Sequence, residues 1–342
     1  MDNFTPSVLV PLVSKIPHVS TRLIFRDILG AVRVRWGISR NSYKVTPGLY
    51  AVGKPANASD VFVTANYKLT FDTLRKNLGG LDAWILVLDT KGINVWCAAG
   101  KGTFGTAELI HRIRKTALEE VVSHRKLIVP QLGAVGIAAH EVKKYSGFSV
   151  VYGPVRAGDI HKFIKAGYKA DKDMRKVKFA FFDRLKLVPV EIVNARYWLI
   201  GTLIFLLFLS GAGQEGFSLE AMRLSAGKLI VAVMGGFLSG TVLTPLLLPV
   251  IPFGSFSLKG AETGLLTALF LYSGNYLGRN GIEIVSWFFL LSAISSYLAM
   301  NFTGASVYTS LSGVRKEMRV AVPLQIIAIV TGLTLFILSK FF

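Results

Sequence analysis

The sequence predicts a Rossmann-like α/β domain followed by an all-α membrane domain. Strand and helix patterns alternate between residues 46 and 168, whereas residues 197–342 contain five long apolar stretches. Residues 1–196 carry 31 Lys and Arg against 15 Asp and Glu, but residues 197–342 carry only 8 against 5. We therefore predict a basic N-terminal segment (1–45), the α/β domain (46–168), a basic juxtamembrane linker (169–196) and the membrane domain (197–342).

The elements of the α/β domain follow from its hydrophobic periodicity. We predict strands at DVFVTA, AWILVLDT, INVW, KLIVP and FSVVYGP, and helices at FDTLRKNLG, TAELIHRIRKTALEEVVSH and AGDIHKFIKAG. The continuous apolar run of AWILVL is typical of a strand that is covered on both faces. A sheet built from such units carries its site at the carboxyl ends of its strands.

Five transmembrane helices are predicted in the membrane domain, at about 197–211, 229–250, 261–277, 282–300 and 320–338. Lys and Arg are concentrated just before the first of these helices, and such charges mark the cytoplasmic side. We therefore expect a multi-pass protein of the cytoplasmic (inner) membrane, with its N-terminal domain in the cytoplasm. After five crossings, the C-terminus would lie outside.

The formal net charge of +19 suggests either nucleic acid or an anionic membrane surface as a partner. Ten Lys and Arg lie between Lys162 and Arg196, directly before the first apolar stretch, which favours lipid head groups. Nucleic acid is not expected. Arginines also alternate with apolar residues in the N-terminal segment, which we expect to lie on the membrane or on the domain. These arginines are Arg22, Arg26, Arg33 and Arg35.

Cys97 is the only cysteine, so the chain cannot form an internal disulfide or bind an iron–sulfur cluster by itself. It lies in INVWCAAGK, where small residues follow the thiol. Position alone favours a small buried hydrophobe. A metal ligand, or a nucleophile assisted by one of the histidines, remains open.

The segment GKGTFG, at Gly100–Gly105, matches GxGxxG between a predicted strand and a predicted helix. The acidic residue that a dinucleotide site needs after the next strand is absent, because KLIVP ends at Pro130 and Gln131 follows. Two alternatives stay open. One is a membrane-anchored nucleotide-binding enzyme that uses this loop, and the other is a non-enzymatic membrane-surface scaffold with Cys97 buried.

Three blocks of the chain resemble a known family of corrinoid proteins. NVWCAAGK, from Asn94 to Lys101, resembles the cap-helix signature of the corrinoid proteins of the mercury-methylation pair, the HgcA family. VTANYKLTFD and GPVRAGD resemble further blocks of that family and of the large subunit of the corrinoid iron–sulfur protein. Five membrane spans fit the mercury-methylating family and not the soluble carrier. The chain differs from that carrier in having the thiol and in lacking an iron–sulfur segment.

This resemblance implies a cobalamin-type corrinoid in the base-off state, with the Cys97 thiolate as lower axial ligand of cobalt and as the catalytic residue. The cobalt would have no other ligand from this chain. The implied cofactor-binding residues fall in the three blocks: Thr64, Ala65, Asn66, Thr70, Asn94, Val95, Trp96, Cys97, Ala98, Ala99, Gly100, Lys101, Gly153, Pro154, Val155, Arg156 and Ala157.

The implied activity is that of a methyltransferase, which moves a methyl group from the corrinoid to Hg(II) and forms methylmercury. The implied partner is a ferredoxin-like protein with two 4Fe–4S clusters, as electron donor and mercury carrier. The methyl group would come from the methyltetrahydrofolate pathway.

Overall fold

The structure is a computed structural model that describes residues 16–278, 280–305 and 311–342. It divides into two compact units. The first comprises residues up to Val34 together with Ile38–Val177, and the second comprises Arg35–Gly37 together with Lys178–Phe342. Residues 1–15 of the predicted N-terminal segment lie outside the described part of the chain.

The first unit is built around a five-stranded sheet. Its strands are β1 (Gly48–Val52), β2 (Val61–Ala65), β3 (Ala83–Leu88), β4 (Lys126–Val129) and β5 (Ser149–Tyr152). The helices in this part of the chain are α1 (Phe25–Arg35), α2 (Lys68–Lys76), α3 (Val95–Gly100), α4 (Thr106–Lys115), α5 (Leu118–Val121), α6 (Ala139–Ser146) and α7 (Ile160–Lys165). Turns of 3-10 helix lie at Gln131–Gly133 and Ala157–Asp159.

The strand order is β1-β3-β2-β4-β5. Strands β2 to β5 are parallel, and β1 pairs antiparallel with β3 at one edge. Every residue of β2 and β3 is buried, because alternate side chains enter two separate cores. One core contains residues of α3 to α6, and the other contains residues of α2 and α7. The α/β prediction is confirmed.

Two local predictions were wrong, and one strand was missed. INVW is not a strand, because Val95 begins helix α3. The long helix predicted from Thr106 is divided at Ala117, whose φ of 45° places it in the left-handed region. The antiparallel strand β1 was not predicted. It is a short segment at the sheet edge, and its pairing with β3 is a contact over a long sequence distance.

The second unit is mainly helical. Its helices are α8 (Phe181–Leu185), α9 (Val188–Ser210), α10 (Leu219–Leu238), α11 (Thr244–Leu247), α12 (Phe256–Ser273), α13 (Gly281–Asn301) and α14 (Leu311–Leu338). A π-helical turn at Ser239–Leu243 joins α10 to α11, and a 3-10 turn at Phe302–Ala305 follows α13. A small hairpin of β6 (Ala212–Gly213) and β7 (Gly216–Phe217) follows α9.

Four helical segments among the described residues are long and apolar enough to cross a membrane, and not the five predicted. They are Phe181–Ser210, Leu219–Leu247, Gly281–Asn301 and Ser312–Leu338. The third predicted span forms α12, but this helix begins five residues earlier than predicted and includes Lys259 and Glu262 in its first turns. These charges lower its hydropathy. The outside location of the C-terminus stays a prediction.

Small residues bring α12 close to α13. A Cβ atom on Gly260 would lie 2.6 Å from the Cβ of Ala299, and one on Gly264 would lie 2.7 Å from the carbonyl oxygen of Leu291. Hydroxyl groups fill the same region. Thr263 Oγ1 lies 2.6 Å from Thr244 Oγ1 and 3.2 Å from the Oγ of Ser295. Close backbone approach with hydrogen-bonded hydroxyls is typical of helix packing in membranes.

Candidate corrinoid-cap site

The candidate site lies at the carboxyl ends of the parallel strands. The chain runs from β2 to β3 on one side and then crosses to β4 on the other side of β2, so the strand order reverses between β2 and β4. Ligands of open α/β sheets bind at such a switch point. Helix α3 contacts β2 and the 3-10 turn after β4. The helix that carries Cys97 therefore covers the switch point.

All three predicted blocks follow strands of this edge. Thr64 to Asn66 end β2, Asn94 to Lys101 follow β3, and Gly153 to Ala157 follow β5. The parallel arrangement brings these blocks to one edge, although they are far apart in the sequence.

Helix α3 is short and is held at its N-terminus by Asn94. The Asn94 side chain accepts a hydrogen bond of 2.9 Å from the backbone N–H of Cys97. This is an N-cap, which satisfies a donor that the first helical turn leaves without a backbone partner. The cap therefore fixes the backbone that carries the thiol.

The two faces of α3 differ. Val95, Ala98 and Ala99 are buried in the same core as the strands. Trp96 is 41% exposed, and Cys97 is exposed at the surface. The alanines thus let the helix lie close to the sheet, and the thiol points away from it. The interpretation of Cys97 as a buried hydrophobe is wrong.

The GKGTFG segment forms the C-terminal end of α3 and the loop that follows it. The N–H groups of Thr103 and Phe104 both donate to the carbonyl of Ala98, at 2.9 and 3.1 Å. Gly102 has a φ of 79°, which suits the left-handed residue that ends a helix. Phe104 is fully buried and anchors the loop. The loop follows a helix, so the strand–loop–helix context of a dinucleotide site is absent.

Asn66 supports the segment before α3. Its Oδ1 accepts hydrogen bonds from the N–H of Thr90, the hydroxyl of Thr90 and the N–H of Gly92, at 3.1, 2.9 and 2.9 Å. Its Nδ2 donates to Asp89 at 3.2 Å. Asn66 is 2% exposed. The structure therefore uses this amide to join the end of β2 to the β3–α3 loop.

A second network, which the sequence reasoning missed, supports the same loop. Glu108 Oε1 accepts from the backbone N–H of Asp89 at 2.8 Å and from Arg112 at 2.7 Å. A hydrogen bond from Lys91 is the main cause that lowers the pKa of Asp89 below its ordinary value. The four-residue spacing of Glu108 and Arg112 is visible in the sequence as a helical ion pair. The contact of Glu108 with Asp89 is not visible in the sequence.

The remaining predicted residues differ in their solvent exposure. Thr64 and Ala65 are buried within β2, and Thr70 is partly exposed on α2. Gly153 and Pro154 are buried, Val155 and Ala157 are partly exposed, and Arg156 is exposed. Of the cap residues, Gly100 and Lys101 are exposed. A Cβ atom added to Gly100 would meet no heavy atom within 4 Å, so the space outside the helix is open there.

Two further residues of the site were missed, both in the loop after β4. The Oε1 atom of Gln131 is buried and has no hydrogen-bond partner in the described part of the protein. Gly136 lies directly against α3, since a Cβ there would come within 3.1 Å of the Cα of Ala99. No residue pattern marks either position, because both act through contacts between separate segments.

The N-terminal unit is similar in sequence to known proteins. Residues 28–164 match the family described as CO dehydrogenase/acetyl-CoA synthase delta subunit, CdhD. The gamma subunit of the acetyl-CoA decarbonylase/synthase complex of Archaeoglobus fulgidus is 32% identical over 156 residues, which cover 43% of this chain and 33% of that protein. The corrinoid/iron-sulfur protein large subunit of Moorella thermoacetica is 27% identical over 125 residues, covering 36% of this chain and 28% of that protein.

The chain thus spans about a third of the length of these relatives. The matched residues begin within α1 and end within α7, so they include the whole sheet and the helix that carries Cys97. The second unit lies outside the match. These similarities support a corrinoid-protein family for the N-terminal α/β unit of this chain.

Proposed function

We propose that this protein is a membrane-anchored, corrinoid-dependent methyltransferase that forms methylmercury from Hg(II). The observation that carries the proposal is the exposed Cys97 on a capped helix across the switch point of an α/β sheet. The similarity of residues 28–164 to corrinoid-protein subunits supports the choice of cofactor. The candidate spans support a membrane location.

The residues around Cys97 fit a corrinoid. The thiol is exposed, Gly100 and Gly102 face open space, and the wall beneath α3 is packed. The buried Gln131 Oε1 is a hydrogen-bond acceptor without a partner among the described residues, and it suits the amide N–H groups on the edge of a corrin. Residues of all three blocks would hold the cofactor.

Cys97 would be the lower axial ligand of cobalt. A thiolate is a soft and strongly electron-donating ligand. When bound, a methylated corrinoid supplies a methyl group that leaves with both electrons of the broken cobalt–carbon bond, forms the mercury–carbon bond and leaves Co(III). Electron donation from Cys97 favours this departure. Asn94 would keep the thiolate directed at the metal, and Asn66 would hold the loop in front of it.

Reloading cobalt with a methyl group requires its reduction by two electrons to Co(I). The sequence has one cysteine, so the chain cannot bind an iron–sulfur cluster alone. We propose a ferredoxin-like partner with two 4Fe–4S clusters as the electron donor and a carrier of Hg(II). The methyl group would come from the methyltetrahydrofolate pathway through a separate methyltransferase.

The cofactor and the ligand are tested by spectroscopy of the purified full chain with added cobalamin. We expect visible cobalt–corrin absorption bands that shift in Cys97→Ala. Lys143→Ala, at an exposed position of α6, is the matched control and should retain the wild-type spectrum. A colourless protein would overturn the cofactor assignment. Identical spectra for the wild type and Cys97→Ala would overturn the axial-ligand assignment.

The activity is tested separately in cells that contain the partner protein. Cys97→Ala should reduce methylmercury formation to the background level, and Cys97→Ser should reduce it strongly because oxygen is a harder and weaker donor. Lys143→Ala should retain activity. A chain that binds corrinoid through Cys97 but forms no methylmercury in its wild-type form would have another methyl acceptor.

A further inference from the structure

Helix α1 has an apolar face that the other described residues do not cover. Phe25 is 78% exposed, and Ile28, Leu29 and Val32 are 45–52% exposed. At 3.6 residues per turn, these four positions fall within about 100° of the helix circumference. We call them the apolar stripe. The chain therefore presents a continuous row of large apolar side chains to its surroundings.

Arginines lie beside this stripe. Arg26 and Arg33 are seven residues apart, so both lie along one edge of it, and both are exposed. Arg22 precedes the helix and is also exposed. An apolar face that begins with an aromatic residue and has arginine along its border is the arrangement of helices that lie in the membrane–water interface.

The opposite face of α1 is firmly attached to the α/β unit. Asp27 forms ion pairs with Lys68 and Arg75 of α2, both at 2.7 Å. Val34 is 1% exposed. A Cβ atom on Gly30 would lie 2.4 Å from the hydroxyl of Tyr43, so this position requires glycine for the close approach. The helix thus has one face fixed by the protein and the other free for a partner.

We infer that the apolar stripe of α1 inserts into the interface of an anionic lipid membrane, with Arg22, Arg26 and Arg33 on the lipid head groups. The chemistry favours lipid over a protein partner. The stripe matches the shallow apolar layer below the head groups, and the arginines match their negative charge. The same chain contains four helical segments, among the described residues, that are long and apolar enough to cross a membrane, which also favours lipid as the partner.

This contact would hold the candidate site at a fixed orientation to the membrane. The backbone N–H of Val45 donates to the carbonyl of Asn66 at 2.9 Å, and the N–H of Lys68 donates to the carbonyl of Tyr43 at 3.0 Å. The segment that follows α1 therefore pairs with the block at the end of β2. A change in the position of α1 would be transmitted directly to Asn66.

The test uses the full chain with Cys97→Ala, in nanodiscs that contain one copy each. A cysteine at Leu29→Cys carries an environment-sensitive fluorophore, and Lys143→Cys on the exposed surface of α6 is the control. The discs contain either phosphatidylcholine alone or a mixture with phosphatidylglycerol. We expect the label at position 29 to be quenched by lipid-borne quenchers and protected from iodide in the anionic discs, and position 143 to remain open to iodide.

Substitution of Arg26→Gln together with Arg33→Gln should remove most of the protection in anionic discs. Equal iodide quenching at positions 29 and 143 in both lipid mixtures would overturn the proposal. Protection that is seen only with two copies per disc would indicate self-association and would also overturn it. Protection that is equal in neutral and anionic discs would overturn the role of the arginines. No corrinoid is added, so the result is independent of the proposed methyl transfer.

Discussion

At the residue scale, the site depends on two asparagines that act on backbone atoms. Asn94 caps α3, and Asn66 accepts three hydrogen bonds from the preceding loop. Asn66 is buried, so each of its bonds would leave a buried polar group without a partner if it were lost. These two amides therefore hold the backbone of the helix that carries Cys97 and of the loop before it.

Replacement of the cap tests this frame. We expect Asn94→Ala to destabilise the N-terminal unit by about 1 kcal/mol, because the N–H of Cys97 loses its side-chain acceptor. Asn94→Asp and Asn94→Ser should retain most of the stability, since both residues are good N-caps. The measurement is chemical unfolding of the detergent-solubilised chain. Equal losses for alanine and serine would show that the cap does not stabilise α3.

Removal of the Asn66 amide should destabilise the N-terminal unit more than removal of the Asn94 cap. Asn66→Leu has a similar volume but accepts no hydrogen bond, so the Thr90 and Gly92 donors lose their partner. We expect a loss of about 2–3 kcal/mol and weaker binding of cobalamin in a spectroscopic titration. Thr73→Val, which removes a hydroxyl on an exposed part of α2, is the control and should bind cobalamin normally. Unchanged stability of Asn66→Leu would contradict the role given to this amide.

At the element scale, α1 and α2 are joined by a network of four charged residues. Lys68 and Arg75 each pair with both Asp27 and Asp72, at distances of 2.6–2.7 Å. Burial alone would raise the pKa of Asp27, but hydrogen bonds from Lys68 and Arg75 outweigh it and lower this pKa from 3.8 to about 2. The attachment of α1 is therefore sensitive to acid.

The sign of this effect gives a pH prediction. Because the folded-state pKa of Asp27 is depressed, its stabilising contribution is complete above about pH 4 and is lost as the pH falls through about 2. The difference in melting temperature between the wild type and Asp27→Asn should shrink over this range, as followed by circular dichroism. Glu141→Gln, at an exposed position, should give a small difference at every pH. A constant difference for Asp27→Asn would contradict the prediction.

The packing of α12 on α13 is a second element with a specific requirement. A side chain at Gly264 would meet the backbone of Leu291 and Ser292 at 2.7–2.8 Å. Gly264→Val should therefore separate the two helices and lower the melting temperature in detergent. Gly201→Val is the control, because nothing lies within 4 Å of a Cβ there. Equal melting temperatures for these two variants would argue against close α12–α13 packing.

At the scale of the whole molecule, labelling of Cys97 tests the prediction that the first unit lies on the cytoplasmic side of a membrane. It is the only cysteine and is exposed. If that unit is cytoplasmic, a membrane-impermeant maleimide should label the chain in inside-out vesicles and not in intact cells. A cysteine introduced by Lys143→Cys in a Cys97→Ala background should show the same labelling pattern as Cys97. Labelling in intact cells would place the unit outside and contradict the positive-inside prediction.

Much of the fold could be predicted, because its signals are local. The strands AWILVL and KLIV are continuous apolar runs, and the four candidate spans of the second unit are long and apolar enough to be predicted from hydropathy. Cap helix α3 could not be predicted by periodicity. INVW is apolar and β-branched in part, which is also typical of a strand. Six residues are too few to show a helical period. The segment is helical because Asn94 caps it and Ala98 packs against the sheet.

The sequence by itself determined the two-part organisation, the parallel α/β class and the unique thiol, since these follow from composition and from periods of two and 3.6 residues. The resemblance of three blocks implied a corrinoid cofactor. Only the tertiary structure decided that these blocks meet at one sheet edge and that Cys97 faces outward. It also assigned Asn66 to the loop and left the apolar stripe exposed among the described residues. These facts depend on contacts between residues distant in sequence, and local periodicity carries no information about such contacts.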